Sequence, residues 1–139
     1  KINMYSLDAP QLTPNGDFNG FLKHVGRQYL TLLVDPAVVQ MFRLMASQAD
    51  GQPESVHSFH QSGPINTAHN IAGIVAKYLP DTPDVKEQAA RATSEYLALV
   101  RGDYFLELLL GVRDRIPAAE REAHVDQCIK QLNKLYDFD

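Results

Sequence analysis

Three histidines in the middle of the chain are the side chains with the clearest potential for chemistry. His57 and His60 stand three positions apart, so they share a face if their segment is helical, and His69 follows in the next segment. Imidazole nitrogens bind zinc and other transition metals, but such a site needs an ordered spacing and further ligands. Glu54 is the only carboxylate close by. Histidines that are exposed or line a polar edge of the core are therefore the favoured interpretation, and we expect no metal and no cofactor.

Motifs for nucleophilic or nucleotide chemistry are missing from the sequence. It has no Gly-x-Ser-x-Gly, no Walker loop and no Gly-x-Gly-x-x-Gly. Cys128 is the single cysteine, and it falls on the apolar side of a predicted helix. That position favours a small buried side chain over a reactive thiol. We therefore predict that the protein is not an enzyme and has no catalytic residues.

Composition and charge restrict the class of protein further. The 139 residues suffice for one domain, and a content of 45% hydrophobic and 22% charged residues is typical of globular proteins. The net charge of −4, with scattered lysines and arginines, argues against a nucleic-acid-binding surface on this chain. One cysteine predicts a reducing, cytoplasmic compartment. No apolar run has the length of a membrane span, so we expect no membrane partner.

Helical periodicity and helix-boundary signals predict an all-α fold. Residues 1–16 contain prolines and no sustained pattern, which predicts a linker or frayed segment. Asp17 is a predicted N-cap, and Asp35 followed by Pro36 repeats the signal for a helix start. The predicted helices cover residues 18–34, 36–48, 53–60, 64–79, 82–112 and the stretch after Pro117.

The longest predicted helix, residues 82–112, organises the rest of the chain. Thr82 is its predicted N-cap, and its first half is amphipathic. In the second half, leucines and aromatic residues point in nearly every direction, and a helix that is apolar all round must be covered all round. A domain of this size can cover one side with its own helices, so we expect a second copy of the chain on the other side.

Gly102 leaves two alternatives for this helix. If the helix continues straight, Asp103 and Glu107 lie within about 40° of the direction of Val85, at 100° per residue, and face an apolar interior. Otherwise Gly102 bends the helix and changes its phase. A bend or an internal salt bridge is the favoured interpretation, and a polar anchor in a ligand cavity is the alternative.

Two stretches resemble a known family. Residues 43–64 read RLMASQADGQPESVHSFHQSGP, and residues 96–111 read YLALVRGDYFLELLLG. Both are similar to the C-terminal domain of TetR/AcrR-family transcriptional regulators of the AefR-like subgroup. The shared features are an Arg-Leu opening, a Pro-Glu pair, an aromatic cluster and a closing Gly-Pro, and in the second stretch an Arg-Gly pair and a Leu-Leu-Gly end. The resemblance extends over most of residues 17–139.

The resemblance implies an effector-sensing and dimerisation domain of a repressor, built as a multi-helix bundle that forms a homodimer through a four-helix interface. The implied effector is a small, mostly apolar molecule held in a cavity within each subunit. The side chains expected to bind it are Phe21, Phe42, Met45, His60, His69, Tyr96 and Asp103. Those expected at the dimer interface are Phe105, Leu109, Val125, Cys128, Leu132 and Leu135.

The family places a helix-turn-helix DNA-binding domain before this domain, whereas only a proline-containing segment precedes Asp17 here. We therefore expect residues 17–139 to be the regulatory half of a regulator. DNA binding is then expected only through a helix-turn-helix domain that is absent from this chain. The alternative is a stand-alone helical dimer that acts as a protein-interaction module, and the residues encoded upstream of Lys1 would separate the two.

Overall fold

The computed structural model describes residues 16–136, so the predicted linker at residues 1–16 lies outside this range except for Gly16. The fold is all-α, as predicted. The α-helices are α1 (Phe18–Leu33), α2 (Pro36–Ser47), α3 (Pro53–His60), α4 (Asn66–Val75), α5 (Val85–Arg101), α6 (Tyr104–Leu110) and α7 (Ala118–Tyr136).

Both aspartate signals for helix starts are confirmed. The Asp17 carboxylate accepts a hydrogen bond from the Gly20 amide at 2.8 Å, and the Asp35 carboxylate accepts one from the Ala37 amide at 2.8 Å. Pro36 occupies the first turn of α2, where its missing N–H leaves no donor unsatisfied. These caps fix where α1 and α2 begin.

The predicted break at Pro64 is wrong. Residues Gln61–Ile65 form a π-helical turn that joins α3 to α4, and Pro64 lies inside it. A proline removes one backbone donor and crowds the preceding turn, and the wider π turn relieves both effects without ending the helix. A 3-10 turn at Ala76–Tyr78 then follows α4.

The predicted helix over residues 82–112 is two helices. Thr82 is not its cap, because its hydroxyl bonds the Asp84 carboxylate at 2.8 Å and α5 begins at Val85. Gly102 ends α5 with φ +47° and ψ −143°, a backbone conformation that favours glycine. The bend that the sequence left as one alternative at Gly102 is therefore confirmed, and Asp103 is exposed to solvent.

Helices α1, α5 and α7 form the core together with α4. The Tyr96 hydroxyl of α5 donates to the Leu22 carbonyl oxygen of α1 at 2.5 Å. On the other side of α1, Arg27 forms two hydrogen bonds with Glu122 of α7, at 2.6 and 2.7 Å. The buried apolar residues of these four helices form one continuous cluster.

The α7 seam predicted to meet a second copy of the chain instead faces this core. The exposed fractions of Val125, Cys128 and Leu132 are 0%, 1% and 1%. They pack in the cluster formed with α1 and α5, so they have no surface left for a dimer partner. Their assignment to the dimer interface is therefore wrong. The helical spacing of these apolar residues did correctly predict that they lie on a buried face of α7.

A polar network holds the chain on both sides of the Gly102 break. Nε2 of His124 lies 3.0 Å from the Leu99 carbonyl oxygen and 2.9 Å from that of Val100, so this nitrogen contacts two of the last four carbonyls of α5. The Tyr104 hydroxyl donates to Glu120 at 2.9 Å, and Arg113 pairs with the same carboxylate. Together these contacts bind α6 and the loop after it to α7.

No single helix among residues 16–136 is both long and apolar enough to cross a membrane. Helices α1 and α2 reach that length and composition only as a pair, and the chain bends by 67° between them. The core position of α1 accounts for its apolar face.

The contact between Gly26 and Tyr96 predicts a large effect of a single methyl group. A Cβ at Gly26 would lie 2.5 Å from the Tyr96 hydroxyl oxygen and 2.8 Å from a Val125 methyl carbon. We expect Gly26→Ala to lower the free energy of unfolding by about 2–3 kcal/mol, measured by urea denaturation, because the core must shift. Gly73→Ala is the control. Nothing lies within 4 Å of the Cβ that this substitution adds, so it should stabilise α4 by about 0.5–1 kcal/mol. Equal effects of the two substitutions would contradict this close packing.

The network at Glu120 predicts a pH dependence of stability. The Tyr104 hydroxyl, and after it the Arg113 guanidinium, lower the pKa of Glu120 below its ordinary value of 4.5. Because the folded pKa is the lower one, the stabilisation is fully present above pH 4.5 and is lost as the pH falls through the folded value. We expect Glu120→Gln to lower the melting temperature at neutral pH, and the difference from wild type to shrink in acid. Asp81→Asn, at an exposed carboxylate outside the helices, should show no such change with pH; a constant deficit for Glu120→Gln would contradict the assignment.

Candidate functional site

Helices α2 and α3, residues 36–60, are the most loosely packed part of the described fold, and we call them the flap. Val38 is the only buried residue of α2, and α3 has none. By comparison, α1 has seven buried residues and α5 has six. Segments with few buried contacts open at the lowest free-energy cost, so the flap is the part of this fold best able to move around a ligand.

An aromatic cluster holds the flap against α6. Phe42 of α2 meets Phe59 of α3 with ring centroids 5.4 Å apart and an interplanar angle of 81°. Phe42 also meets Phe105 of α6 at 4.9 Å and 81°. These edge-to-face pairs contribute about 0.5–1.5 kcal/mol each beyond the area that they bury. All three rings are half-buried, so part of their apolar surface remains available.

Arg43 forms the polar attachment of the flap beside this cluster. Its Nε donates to the Leu109 carbonyl oxygen at 2.9 Å, and one terminal nitrogen donates to that of Leu108 at 3.1 Å. These carbonyls belong to the last turn of α6, where a cation is favoured by the helix dipole. The Arg43 guanidinium and the aromatic cluster thus connect the flap to α6, so a movement of α2 would displace α6 as well.

Four side-chain polar atoms are buried without a hydrogen-bond partner among the residues that the structure describes. Three of them are Nε2 of His24 and Oε1 of Gln28 on α1, and the hydroxyl oxygen of Thr93 on α5. His24 and Gln28 are four positions apart and so lie on one face of α1. A fourth such atom, Oε1 of Glu107, lies 3.7 Å from the Arg113 guanidinium and therefore has a charge partner. The other three have no such partner among the described residues.

The apolar residues predicted to bind an effector differ in burial. Phe21 and Tyr96 are fully packed in the core, and burial raises the pKa of the Tyr96 hydroxyl. Phe42 and Met45 lie half-buried on the flap. Phe42 also packs against the core cluster that contains Phe21 and Tyr96, and the effector-binding role of these four residues stays a prediction.

The polar residues predicted to orient the ligand point elsewhere. His60 and Asp103 are exposed. His69 lies in an open groove of about 300 Å³ between α4 and α5, next to Gly73 and Lys86. Their role in orienting a ligand stays a prediction. Within residues 16–136, no three side chains of His, Cys, Asp or Glu are grouped as metal ligands.

Sequence reasoning missed His24, Gln28 and Thr93. A signal was present: His24 and Gln28 flank the apolar stripe of α1, and Thr93 interrupts the buried face of α5 between Ala89 and Tyr96. That they lack partners depends on the neighbouring helices, which the local sequence does not specify.

Helices α5 and α7 each have a side turned away from the core, which we call the outer face, and its exposed side chains are small, polar and charged. Ser94 and Ala98 are exposed on α5, and Ala123 and Gln127 are exposed on α7 at the level where His124 meets Leu99. Leu135, with 63% of its surface exposed, lies towards the end of α7. Of the other residues predicted at the dimer interface, Leu109 is half-buried on α6 and Phe105 belongs to the aromatic cluster of the flap.

Burial raises the pKa of the Cys128 thiol to about 11, which leaves it protonated and unreactive near neutral pH.

Comparison with known proteins identifies the family. No curated protein and no solved structure matches the chain significantly. The family model described as the C-terminal domain of AefR-like transcriptional repressors matches residues 20–137, which include every helix described above except the first two residues of α1. The chain therefore belongs to this AefR-like group of TetR-family repressor C-terminal domains.

Proposed function

We propose that this domain senses a small effector beneath the flap and forms a homodimer through the outer face of α5 and α7. In the complete regulator, effector binding would control a separate DNA-binding domain. The observation that carries this proposal is the contrast between a tightly packed α1–α5–α7 core and a flap with a single buried residue.

The flap supports the effector part of the proposal. Its inward side chains include Phe42 and Phe59 with Met41 and Met45, all half-buried. Aromatic rings provide rigid apolar contact area, and methionine adapts to irregular shapes. Ligand sites in helical proteins commonly combine such apolar walls with a few polar groups between helices.

The outer face of α5 and α7 supports the dimer part. Two antiparallel helices with small residues at their centre can approach their two-fold mates closely and form a four-helix interface. Leu135 adds apolar area on α7, and Leu106 and Leu110, with exposed fractions of 57% and 66%, add it on α6. Large exposed apolar patches are characteristic of interaction sites, and these leucines would contribute apolar area to one.

Helix α6 would couple the two surfaces. It contacts the flap through Phe105 and the Arg43 hydrogen bonds, and it follows directly after α5 at Gly102. An effector that binds two arrangements of the flap unequally would shift the population of α6 and α5 positions. Dimeric helix-turn-helix domains match half-sites about 34 Å apart, so a small change in spacing is enough to weaken operator binding.

A charge placed on the proposed interface should split the dimer. We expect Ala98→Glu to give a monomer at micromolar concentration in sedimentation experiments, because it would bury two like charges near a two-fold axis. Ala90→Glu is the matched control on the same helix, since Ala90 faces the α4 groove next to Lys86. It should leave the dimer intact. A wild-type monomer, or a dimer that survives Ala98→Glu, would refute this interface.

Truncation of the central flap ring should weaken effector binding without affecting the dimer. We expect a melting-temperature screen with small apolar compounds to find ligands, and Phe42→Ala to reduce their affinity by about tenfold through the lost ring contacts. Phe18→Ala is the matched control, since Phe18 also packs against an aromatic ring, that of Tyr78 at 5.4 Å, but lies outside the flap. The effector site would be elsewhere if Phe18→Ala weakened binding as much as Phe42→Ala, and its existence would be refuted if no compound raised the melting temperature.

A further inference from the structure

A cleft of about 210 Å³ lies between α2, the end of α6 and the loop that follows α6, and we call it the Arg43 cleft. Its lining residues from α2 are Pro36, Val39, Gln40 and Arg43, which share one face of the helix because they are three and four positions apart. At 100° per residue, this face lies about 110° around α2 from Phe42. No ring of the aromatic cluster lines the cleft, so it is distinct from the space beneath the flap.

The Arg43 guanidinium is held in place and still has donors to offer. Its Nε and one terminal nitrogen donate to the carbonyl oxygens of Leu109 and Leu108, at 2.9 and 3.1 Å. Two further parallel N–H groups, one on each terminal nitrogen, have no hydrogen-bond partner among residues 16–136. Such a pair of N–H groups matches the two oxygens of a carboxylate, which guanidinium groups bind through two hydrogen bonds.

The charge of Arg43 is not neutralised within the described chain. Arg113, the second arginine of the cleft, forms ion pairs with Glu107 and Glu120, whereas Arg43 forms none in residues 16–136. Asp114 is the one carboxylate among the lining residues, and it has no ion pair in the described chain either. Arg43 therefore supplies the charge that attracts an anion, and Asp114 opposes it.

The rest of the cleft offers apolar contact. Val34, Val39 and Leu108 line it together with Gly111. Gly111 has φ +76° and no side chain to cover the guanidinium, since a Cβ there would lie 3.4 Å from Nη2 of Arg43. Because α6 already fixes the guanidinium, a carboxylate would bind to donors that need no reorientation.

We propose that the Arg43 cleft binds a small organic carboxylate, with the carboxylate on the two free N–H groups of Arg43 and an apolar body against Val34, Val39 and Leu108. This inference goes beyond the proposed function, because the site differs in place and in ligand charge from an apolar effector site beneath the flap. A bound carboxylate would also contact both α2 and the end of α6, and so would stabilise the attachment of the flap.

Three probes of one shape and different charge test the ligand class. They are benzoate, its neutral analogue benzamide and its cationic analogue benzamidine, each titrated into the intact domain by calorimetry at low salt. We expect benzoate to bind about tenfold more tightly than benzamide, to weaken as salt is added, and benzamidine to bind least. Equal affinities of benzoate and benzamide, or no binding of benzoate, would overturn the inference.

Charge variants in the cleft test its location. Arg43→Gln should abolish the preference for benzoate over benzamide, but it also removes hydrogen bonds to α6. Two further variants avoid this loss, because neither Gln40 nor Asp114 has a hydrogen bond in the described structure. We expect Gln40→Glu to lower the affinity for benzoate about fivefold and Asp114→Asn to raise it about fivefold, since a like charge is added or removed nearby.

The same two substitutions at a distant groove are the matched controls. Gln88 and Asp84 line an open groove that also includes Arg91 and Tyr136, at the other end of the domain's lining residues in sequence and outside the flap. Gln88→Glu and Asp84→Asn should leave the affinity for benzoate unchanged. If Gln40→Glu and Asp114→Asn did not shift the affinity in opposite directions, or if the controls shifted it equally, the inference would be overturned.

The results also separate this site from the effector site. Benzoate binding that required Phe42 and ignored both cleft charges would place the ligand beneath the flap, which would overturn the inference and leave the proposed function standing. Benzoate binding that followed the cleft charges would support the inference even if no apolar compound bound beneath the flap.

Discussion

The backbone conformation of Gly102 ends α5, and this break determines where the side chains that follow it lie. On a straight helix at 100° per residue, Phe105 would lie within about 20° of Ala98, on the outward face of α5. Because of the break, the Phe105 ring packs against the Phe42 ring of the flap instead, with the ring centroids 4.9 Å apart. The outer face keeps its small residues, and the flap gains its attachment to α6.

Two regions with different packing follow from this arrangement. The core of α1, α5 and α7 is fixed by close contacts such as Tyr96 against Leu22 and Gly26, where a single added methyl group would not fit. The flap is held by three half-buried rings and by Arg43. A fold with a rigid core and a weakly attached pair of helices can accept a ligand at the second without unfolding the first. In the proposed mechanism, α6 is the element whose position both regions determine.

Much of the fold follows from local sequence signals, and the candidate site does not. Asp17 and Asp35 predicted the starts of α1 and α2 because a capping aspartate acts within three residues of itself. The period of Val125, Cys128 and Leu132 correctly predicted that they are buried, but a period carries no information on whether the covering helix belongs to the same subunit. Pro64 did not break its helix, since a π turn accommodates it. Unpartnered atoms such as that of Thr93 could not be predicted, because they depend on every helix packed around them.

Hydrogen exchange followed by mass spectrometry tests the central claim most directly, since it measures where the domain opens and where a ligand closes it. We expect amides of residues 36–60 to exchange fastest among the described helices in the free protein. We also expect a ligand from the thermal screen to slow exchange there and in α6, while α1 and α5 stay protected throughout. Exchange in the flap as slow as that in α1 and α5, or a ligand that protects only helices outside the flap and α6, would contradict an effector site beneath α2 and α3.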